Sequence, residues 1–470
     1  MFVRSSTRRR ALTGLLVSLA LPSSAHAGAS LQAVVTASAG VTDNIASTPT
    51  HAQPGTKGRE SDFLAVISPG LILSGGSPRA VMQLSYIFGG VIYGRNSDAD
   101  TYTNTAALNG FFLPSKRTTM GLSLGLTQGR TSAFNTAIQS SNQPVQAQLS
   151  GVQNILAVYA SETLAWEITQ NWRLYQLGGF STSYYLAPPP VQPIARNVPA
   201  TLGISRRFAR DALSVEGNFV YTDYPAQRGP VTTVDGRVDE NGIVQKHQSQ
   251  IIATPLARYT RDFTYFMAGR VELGANVVFD PAIPGHRLVQ TAGGAGFNFN
   301  SPLVLVDISY AHGVAPNLLF RSNFLNDSAA IHAIILLGAR SGFSLSLSAG
   351  YTYGRQLDLA AHEHAIAQTI LADATLSYAA RKELTFFLRY QLIDQFARPV
   401  NAAANGSNVG GAVEGGTLST LTTYYRNTVL FGVTAIYPAE SAAQVPRSAL
   451  GVRADRRDDG NISSSKSTPH

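Results

Sequence analysis

The sequence predicts an all-β chain closed into a transmembrane antiparallel β-barrel of about eighteen strands, with sixteen to eighteen as the range. Three observations lead there. Apolar and polar residues alternate with period two along most of the chain. Short and long connections alternate between those runs. The composition is poor in charge without being greasy: of 470 residues 14% are charged, against roughly 25% in average soluble chains. Mean hydropathy is only +0.02. Length alone suggests about three domains at roughly 150 residues each, but a single closed sheet accommodates the whole chain without a second core.

Residues 1–27 read as a secretory signal. Arg4, Arg8, Arg9 and Arg10 form a positive start, Ala11 to Leu21 an apolar centre, and Ala25-His26-Ala27 a small-residue cleavage site. The apolar run falls short of the about 20 residues that a spanning helix needs. Removing those four arginines lowers the net charge from +8 to about +4, by the counts in the sequence. The basic pI of 9.6 therefore owes much to the leader, and nucleic acid is not an expected partner. The chain has no cysteine, which excludes a disulfide framework, a thiolate metal site and a thiol nucleophile. No second run of 18 apolar residues follows the leader, so an exported chain of this kind is periplasmic, secreted or in an outer membrane.

The strand pattern is explicit. In Gly342–Gly354, Phe343, Leu345, Leu347, Ala349, Tyr351 and Tyr353 share one face, and Ser344, Ser346, Ser348, Gly350 and Thr352 the other. Helical spacing would mix the two sets. Thr119–Gly129, Leu213–Tyr221 and Leu384–Phe396 repeat it. The polar face carries Ser, Thr, Gly, Gln and Asn with isolated charges, as expected when lipid lies on one side and a wet lumen on the other. Strands are expected near 31–42, 62–73, 79–93, 102–113, 117–129, 150–164, 171–186, 198–208, 211–224, 247–260, 262–279, 287–300, 302–312, 328–339, 342–354, 369–380, 383–396 and 419–437. Between them, tight turns such as 114–116 and 381–382 alternate with stretches such as 43–61, 130–149, 225–246, 313–327 and 397–418. Outer-membrane barrels are built with short periplasmic turns and longer outer loops. An even strand number with a long first loop then places both termini in the periplasm. A barrel of this size has a backbone diameter on the order of 35 Å, wide enough for a water-filled lumen unless loops fold inward. Residues 28–437 form the barrel in this reading. The aperiodic Ser-, Ala-, Arg- and Asp-rich residues 438–470 form a disordered periplasmic tail.

By alternation, Glu216, Arg258, Arg270, Glu272, Asp307 and Arg389 face the lumen. They are either ordinary wall charges and ion pairs or a mixed-sign field that tunes which solutes pass. Tyr86, Tyr93, Tyr102, Tyr184, Tyr185, Tyr351, Tyr353 and Tyr390 read as interface anchors. Ala361-His362-Glu363-His364 is the one dense cluster of potential ligands, but it lacks a third or fourth ligand in fixed geometry and reads as a solvated outer loop. Gly293-Gly294-Ala295-Gly296 is a strand start rather than a phosphate cradle. No nucleophile elbow is read: the G-x-S-x-G spacing at Gly121-Leu122-Ser123-Leu124-Gly125 lies inside the period-two strand run Thr119–Gly129, and no His and Ser stand at a strand end as a surface hydrolase requires. Neither enzyme activity nor a cofactor or metal is expected.

Several segments resemble the outer-membrane β-barrel family associated with exopolysaccharide and exosortase gene clusters. They are Gly40-Val41-Thr42-Asp43-Asn44-Ile45, Ser61-Asp62-Phe63 with Ile67-Ser68-Pro69-Gly70-Leu71, Tyr93-Gly94-Arg95-Asn96-Ser97-Asp98, Leu108-Asn109-Gly110, and Tyr425-Arg426-Asn427-Thr428 with Gly432 and Tyr437-Pro438. The likeness covers about the first hundred residues after the leader and the last twenty of the barrel; the middle matches in rhythm only. It implies a conduit in the outer membrane of a Gram-negative cell for secreted polysaccharide, exopolysaccharide or capsule, made by a flippase–polymerase pathway. A periplasmic polysaccharide-export protein is the implied partner. No catalytic residues carry over. The alternatives are a general diffusion porin and a surface-loop adhesin or outer-membrane enzyme.

Overall fold

A computed structural model describes residues 29–45, 60–132, 152–186, 192–232, 238–245, 247–279, 287–317, 322–338, 341–357, 366–398 and 424–437. The leader, the tail and the His362-Glu363-His364 cluster lie outside the described residues.

Twenty strands follow one another: β1 (Ser30–Thr42), β2 (Asp62–Ser77), β3 (Ala80–Tyr93), β4 (Thr101–Ser115), β5 (Thr118–Ser132), β6 (Val152–Glu167), β7 (Trp172–Tyr185), β8 (Gln192–Arg207), β9 (Asp211–Tyr224), β10 (Gln227–Thr232), β11 (Val238–Gln245), β12 (Gln248–Asp262), β13 (Met267–Phe279), β14 (Arg287–Asn300), β15 (Val304–Asn317), β16 (Ser322–Leu336), β17 (Phe343–Leu357), β18 (Ile366–Ala379), β19 (Leu384–Arg398) and β20 (Tyr424–Tyr437). Eighteen of them form one sheet in which each pairs antiparallel with the next in chain order, β9 with β12 across the separate hairpin β10–β11. The sheet closes where β1 meets β20, in an unbroken register from Ala33↔Tyr437 to Thr42↔Thr428. Closure leaves no free sheet edge, which is what a β-structure in lipid requires.

The register sets the faces. Opposed residues point the same way, so Tyr259↔Val271 and Arg258↔Glu272 on β12 and β13 lie on opposite sides of the wall. The outward side carries the exposed large apolar residues, Leu273 at 69%, Phe63 at 62% and Phe431 at 62% among them. These side chains have no protein to cover them, and a bilayer is the solvent that suits them. Tyr86, Tyr102, Tyr351 and Tyr390 are exposed on this side. Tyr86 donates to Asn104 Oδ1 (2.7 Å) and Tyr390 to Asn427 Oδ1 (2.7 Å), an apolar ring with a polar tip.

The short connections 78–79, 116–117, 168–171, 208–210, 263–266, 301–303, 337–342 and 380–383 all fall at one end, where β1 begins and β20 finishes. The longer stretches fall at the other end, where 318–321 is a short connection among them. There β15 and β16 stay paired from Gly313↔Asn326 to Asn317↔Ser322, so the loop expected at 313–327 is largely strand. Backbone pairing above the bilayer needs no apolar side chains, so a polar run such as Asn323-Phe324-Leu325-Asn326 gave no period to read. The hairpin β10–β11 likewise occupies part of the stretch expected as a loop at 225–246. Its signal was the β-branched pairs Val231-Thr232 and Ile243-Val244.

The inward positions change character along the barrel. Near the loop end they are buried: Thr42, Leu64, Tyr93, Tyr224, Val278 and Phe324 are each under 9% exposed. Toward the turn end they are mixed: Ser74, Ala165, Ser214 and Ala268 are buried, and Ser344, Ser346 and Ser348 are partly accessible. The large inward side chains Tyr93, Tyr224 and Phe324 are packed at the loop end.

Candidate functional site

The inner wall of β7–β13 carries the densest set of charges. Arg258 donates from Nε to Glu272 Oε1 (2.7 Å) and from Nη2 to Glu216 Oε1 (3.0 Å). Arg270 lies 3.7 Å from Glu272 Oε1. Glu216 is buried and also accepts from the Tyr175 hydroxyl (2.5 Å) and Asn218 Nδ2 (3.2 Å), while Asn218 accepts from Thr201 (2.6 Å). Two glycines make room. A Cβ on Gly203 would sit 2.4 Å from the Tyr175 ring, and one on Gly296 would sit 2.6 Å from Arg270 Nε. Both long side chains thus lie flat against the wall and leave the lumen clear. Two carboxylates and two guanidiniums cancel, so the cluster is polar without net charge. Removing the Tyr175 hydroxyl tests this packing. We expect Tyr175→Phe to lower the unfolding free energy by about 1.5–3 kcal/mol, as for a hydrogen bond to a charged group, read from the temperature of the folded-to-unfolded gel shift.

Across the lumen, on β18 and β19, Arg389 Nε donates to Asp373 Oδ2 (2.6 Å), and Thr375 donates to the other oxygen (3.1 Å). Asp307 on β15 accepts from Asn298 Nδ2 (3.3 Å). Five of the six residues singled out by alternation therefore sit in ion pairs, and Asp307 is held by an amide. Asp373 and Tyr175, which complete these pairs, were not singled out. The register is what reveals them, through Thr375↔Arg389 and Tyr175↔Gly203. Between the charges, hydroxyls and amides are mixed with apolar inward positions such as Ile87, Leu256 and Leu371. Thr36 meets Thr434 (3.0 Å), Ser123 donates to Asn109 (2.5 Å), Thr254 donates to Asn276 (2.8 Å), and His332 Nδ1 meets Ser348 (2.8 Å).

A second cluster lies where the sheet closes at the loop end. Arg426 is fully buried and donates from Nε to Thr42 Oγ1 (3.2 Å) and from Nη2 to the Tyr93 hydroxyl (3.1 Å). Tyr93 thus points inward at 4% exposed, which corrects its expected place as an interface anchor. Its parity on β3 matches Val91, and the loop-end inward face is packed. The chain leaving β1 turns in as well. Asp43 accepts from the Asn427 backbone (2.8 Å) and side chain (2.6 Å), and Asn44 donates to the Tyr425 carbonyl (2.9 Å). Ile45 then packs on the inward residues Leu64, Val91, Tyr93 and Leu430. Asp62 gathers the backbone N–H groups of Phe63, Arg95 and Asn96. The segments 40–45, 61–63, 93–98 and 425–428, far apart in sequence, converge here.

At the loop-end rim of the outer face, Thr291, His312 and Asp327 line up. Thr291 Oγ1 is 3.0 Å from His312 Nε2, and His312 Nδ1 is 2.8 Å from Asp327 Oδ1. The order hydroxyl, imidazole, carboxylate is the one nucleophilic catalysis uses; the three residues lie 21 and 15 positions apart on different strands, so no local motif marks them. Tyr310 donates to the same Asp327 oxygen (2.6 Å). The β14–β15 register ends at Gly293↔His312 although both strands run on. The cluster therefore ties three strands just where the ladder between two of them stops. We expect His312→Ala to cost about 1–3 kcal/mol in the same gel-shift assay. Lost esterase labelling by a fluorophosphonate probe would instead assign the cluster to catalysis.

No family model matches this chain, and no curated protein matches it. Among solved structures it is similar to a mutant of the ferric enterobactin receptor PfeA of Pseudomonas aeruginosa, with TM-score 0.43 and 8% identity over 88% of this chain and 81% of that one. It is similar to the siderophore receptor PirA of the same organism (TM-score 0.42, 7% identity, 87% and 80% covered). It is also similar to Pseudomonas aeruginosa OccK2 in complex with glucuronate (TM-score 0.40, 12% identity, 87% and 98% covered). The class follows from this chain's own register and faces: a closed, even-stranded antiparallel barrel with an apolar outer belt and a polar inner wall is a transmembrane β-barrel of the outer-membrane type.

Proposed function

We propose that this barrel is an outer-membrane conduit through which a secreted polysaccharide leaves a Gram-negative cell. The observation that carries the reading is the inner wall, where five of the six charges singled out are paired off and hydroxyls and amides are mixed with apolar positions such as Ile72, Ile87 and Leu371. A hydroxyl-rich chain exchanges hydrogen bonds with such a wall at little net cost, and no unmatched field holds it in place. The short-turn end, with both barrel termini, faces the periplasm in this reading. It would meet a periplasmic polysaccharide-export protein, and energy would be supplied upstream. The resemblance of the converging loop-end segments to the exopolysaccharide-associated barrels supports the same assignment.

A general diffusion porin would use the same kind of wall, and two measurements separate the readings. Neutral polysaccharide fragments added to the full-length barrel in a planar bilayer should interrupt its current reversibly, with little dependence on voltage polarity. Liposomes carrying the barrel should swell slowly in small sugars, because large inward side chains such as Tyr93, Tyr224 and Phe324 pack at the loop end. Rapid swelling without interruption by the longer fragments would favour the porin.

A further inference from the structure

The lipid-facing side carries one polar pair deep within its apolar belt. Glu162 on β6 and Gln176 on β7 share the face of Trp166, Leu164 and Phe180, and Gln176 Nε2 donates to Glu162 Oε1 (3.2 Å). Both side chains are exposed. Each lies two outward positions past the aromatic residue at the turn end, Trp166 or Trp172, and apolar positions continue beyond. Among the described outward residues of β5–β9 between those aromatics and the loop-end rim, these two are the polar side chains.

An ionisable group in this position is costly, and in a membrane such a group marks a functional contact by default. Acyl chains offer it no donor. The pair satisfies itself in part: one carboxylate oxygen and one amide hydrogen meet, and the two exposed side chains keep further acceptor and donor capacity. Such a patch is its own complement. A two-fold axis along the membrane normal brings the amide of one copy to the carboxylate of the other, and the reverse, at equal depth. That is the geometry of an isologous interface. Leu122, Leu164 and Leu202 border the pair, but Ala160 and Gly178 beside it are small, and the Glu162 side chain lies over Gly178, 3.3 Å from where a Cβ would be. We propose that this face, centred on Glu162 and Gln176, is where two copies of the barrel associate side by side in the membrane.

The absence of native cysteine makes the test clean. Ala160→Cys places a thiol on β6 at the outward position next to Glu162, and Ala349→Cys places one on the opposite wall, on β17. Oxidation of full-length chains in isolated outer membranes should give a disulfide-linked dimer of twice the barrel mass for Ala160→Cys and not for Ala349→Cys. Adding Glu162→Leu and Gln176→Leu to Ala160→Cys should reduce that dimer by at least about tenfold, the effect of ~1.4 kcal/mol. A heat-modifiable gel shift would show that the monomer is still inserted and folded. Equal cross-linking at the two cysteines, an adduct of different mass, or a dimer that survives the double leucine substitution would each overturn the proposal.

Discussion

Replacing Arg258 by leucine should destabilise the barrel by about 3 kcal/mol and make its current cation-selective. The arginine bridges Glu216 and Glu272. Breaking a buried pair by removing one partner typically costs about 3–5 kcal/mol, because a desolvated charge is left behind. The lower end applies here, since the Glu216 side chain is 5% exposed but that of Arg258 is 34% and lies where the lumen holds water. Two unmatched carboxylates on one wall then create the field that the native wall lacks, and charged rings of that sign favour cations. Reversal potentials in a salt gradient measure the shift. Glu272→Gln, which leaves Arg258 paired with Glu216, should move selectivity the other way and by less. A reversal potential indifferent to both substitutions would show that ions do not pass this part of the wall.

The second large effect is expected at the closure. Arg426→Leu removes a fully buried guanidinium that donates to Thr42 on β1 and Tyr93 on β3 from its place on β20. The loss should be on the order of 3–5 kcal/mol, and it should appear as a lower temperature for the gel shift. Leucine fills part of the volume, but it leaves the Tyr93 hydroxyl and the Thr42 side chain without that donor. The packing of Ile45 against Tyr93 and Leu430 depends on the same wall, so the loop end should also loosen. We expect larger single-channel steps and faster swelling in small sugars from the folded fraction. Arg426→Lys, which keeps a charge but loses the forked geometry, should fall between the two. Unchanged stability with unchanged conductance would mean that the loop end is held by other contacts.

The sequence made the wall legible and the contacts between distant segments illegible, for a physical reason. Period-two alternation is local, so Leu213, Val215 and Phe219 could be separated from Ser214, Glu216 and Asn218 without knowing what lay beside them. Neighbouring strands are joined by tight turns, so even the number and order of strands could be read. Which charge meets which depends on register, and register is set by both ends of each strand at once. Arg258 reaching Glu216, 42 positions away, and Asp373 answering Arg389 could not be read for that reason. The closure cluster was further out of reach, since Thr42 and Arg426 are 384 positions apart. Residues 43–45 and 93–98 were visible only as a family likeness, and the structure gives that likeness a place at one corner of the barrel. Tyr93 failed the alternation rule's usual meaning because, at the loop end, the inward face is packed like a core rather than wet.

The most direct test of the central claim is the fate of the polymer in a strain lacking this chain. Polysaccharide should disappear from the surface and the medium and accumulate in the periplasm, and the full-length chain should restore secretion when supplied in trans. Normal secretion in the deletion strain, with no periplasmic accumulation, would contradict the account.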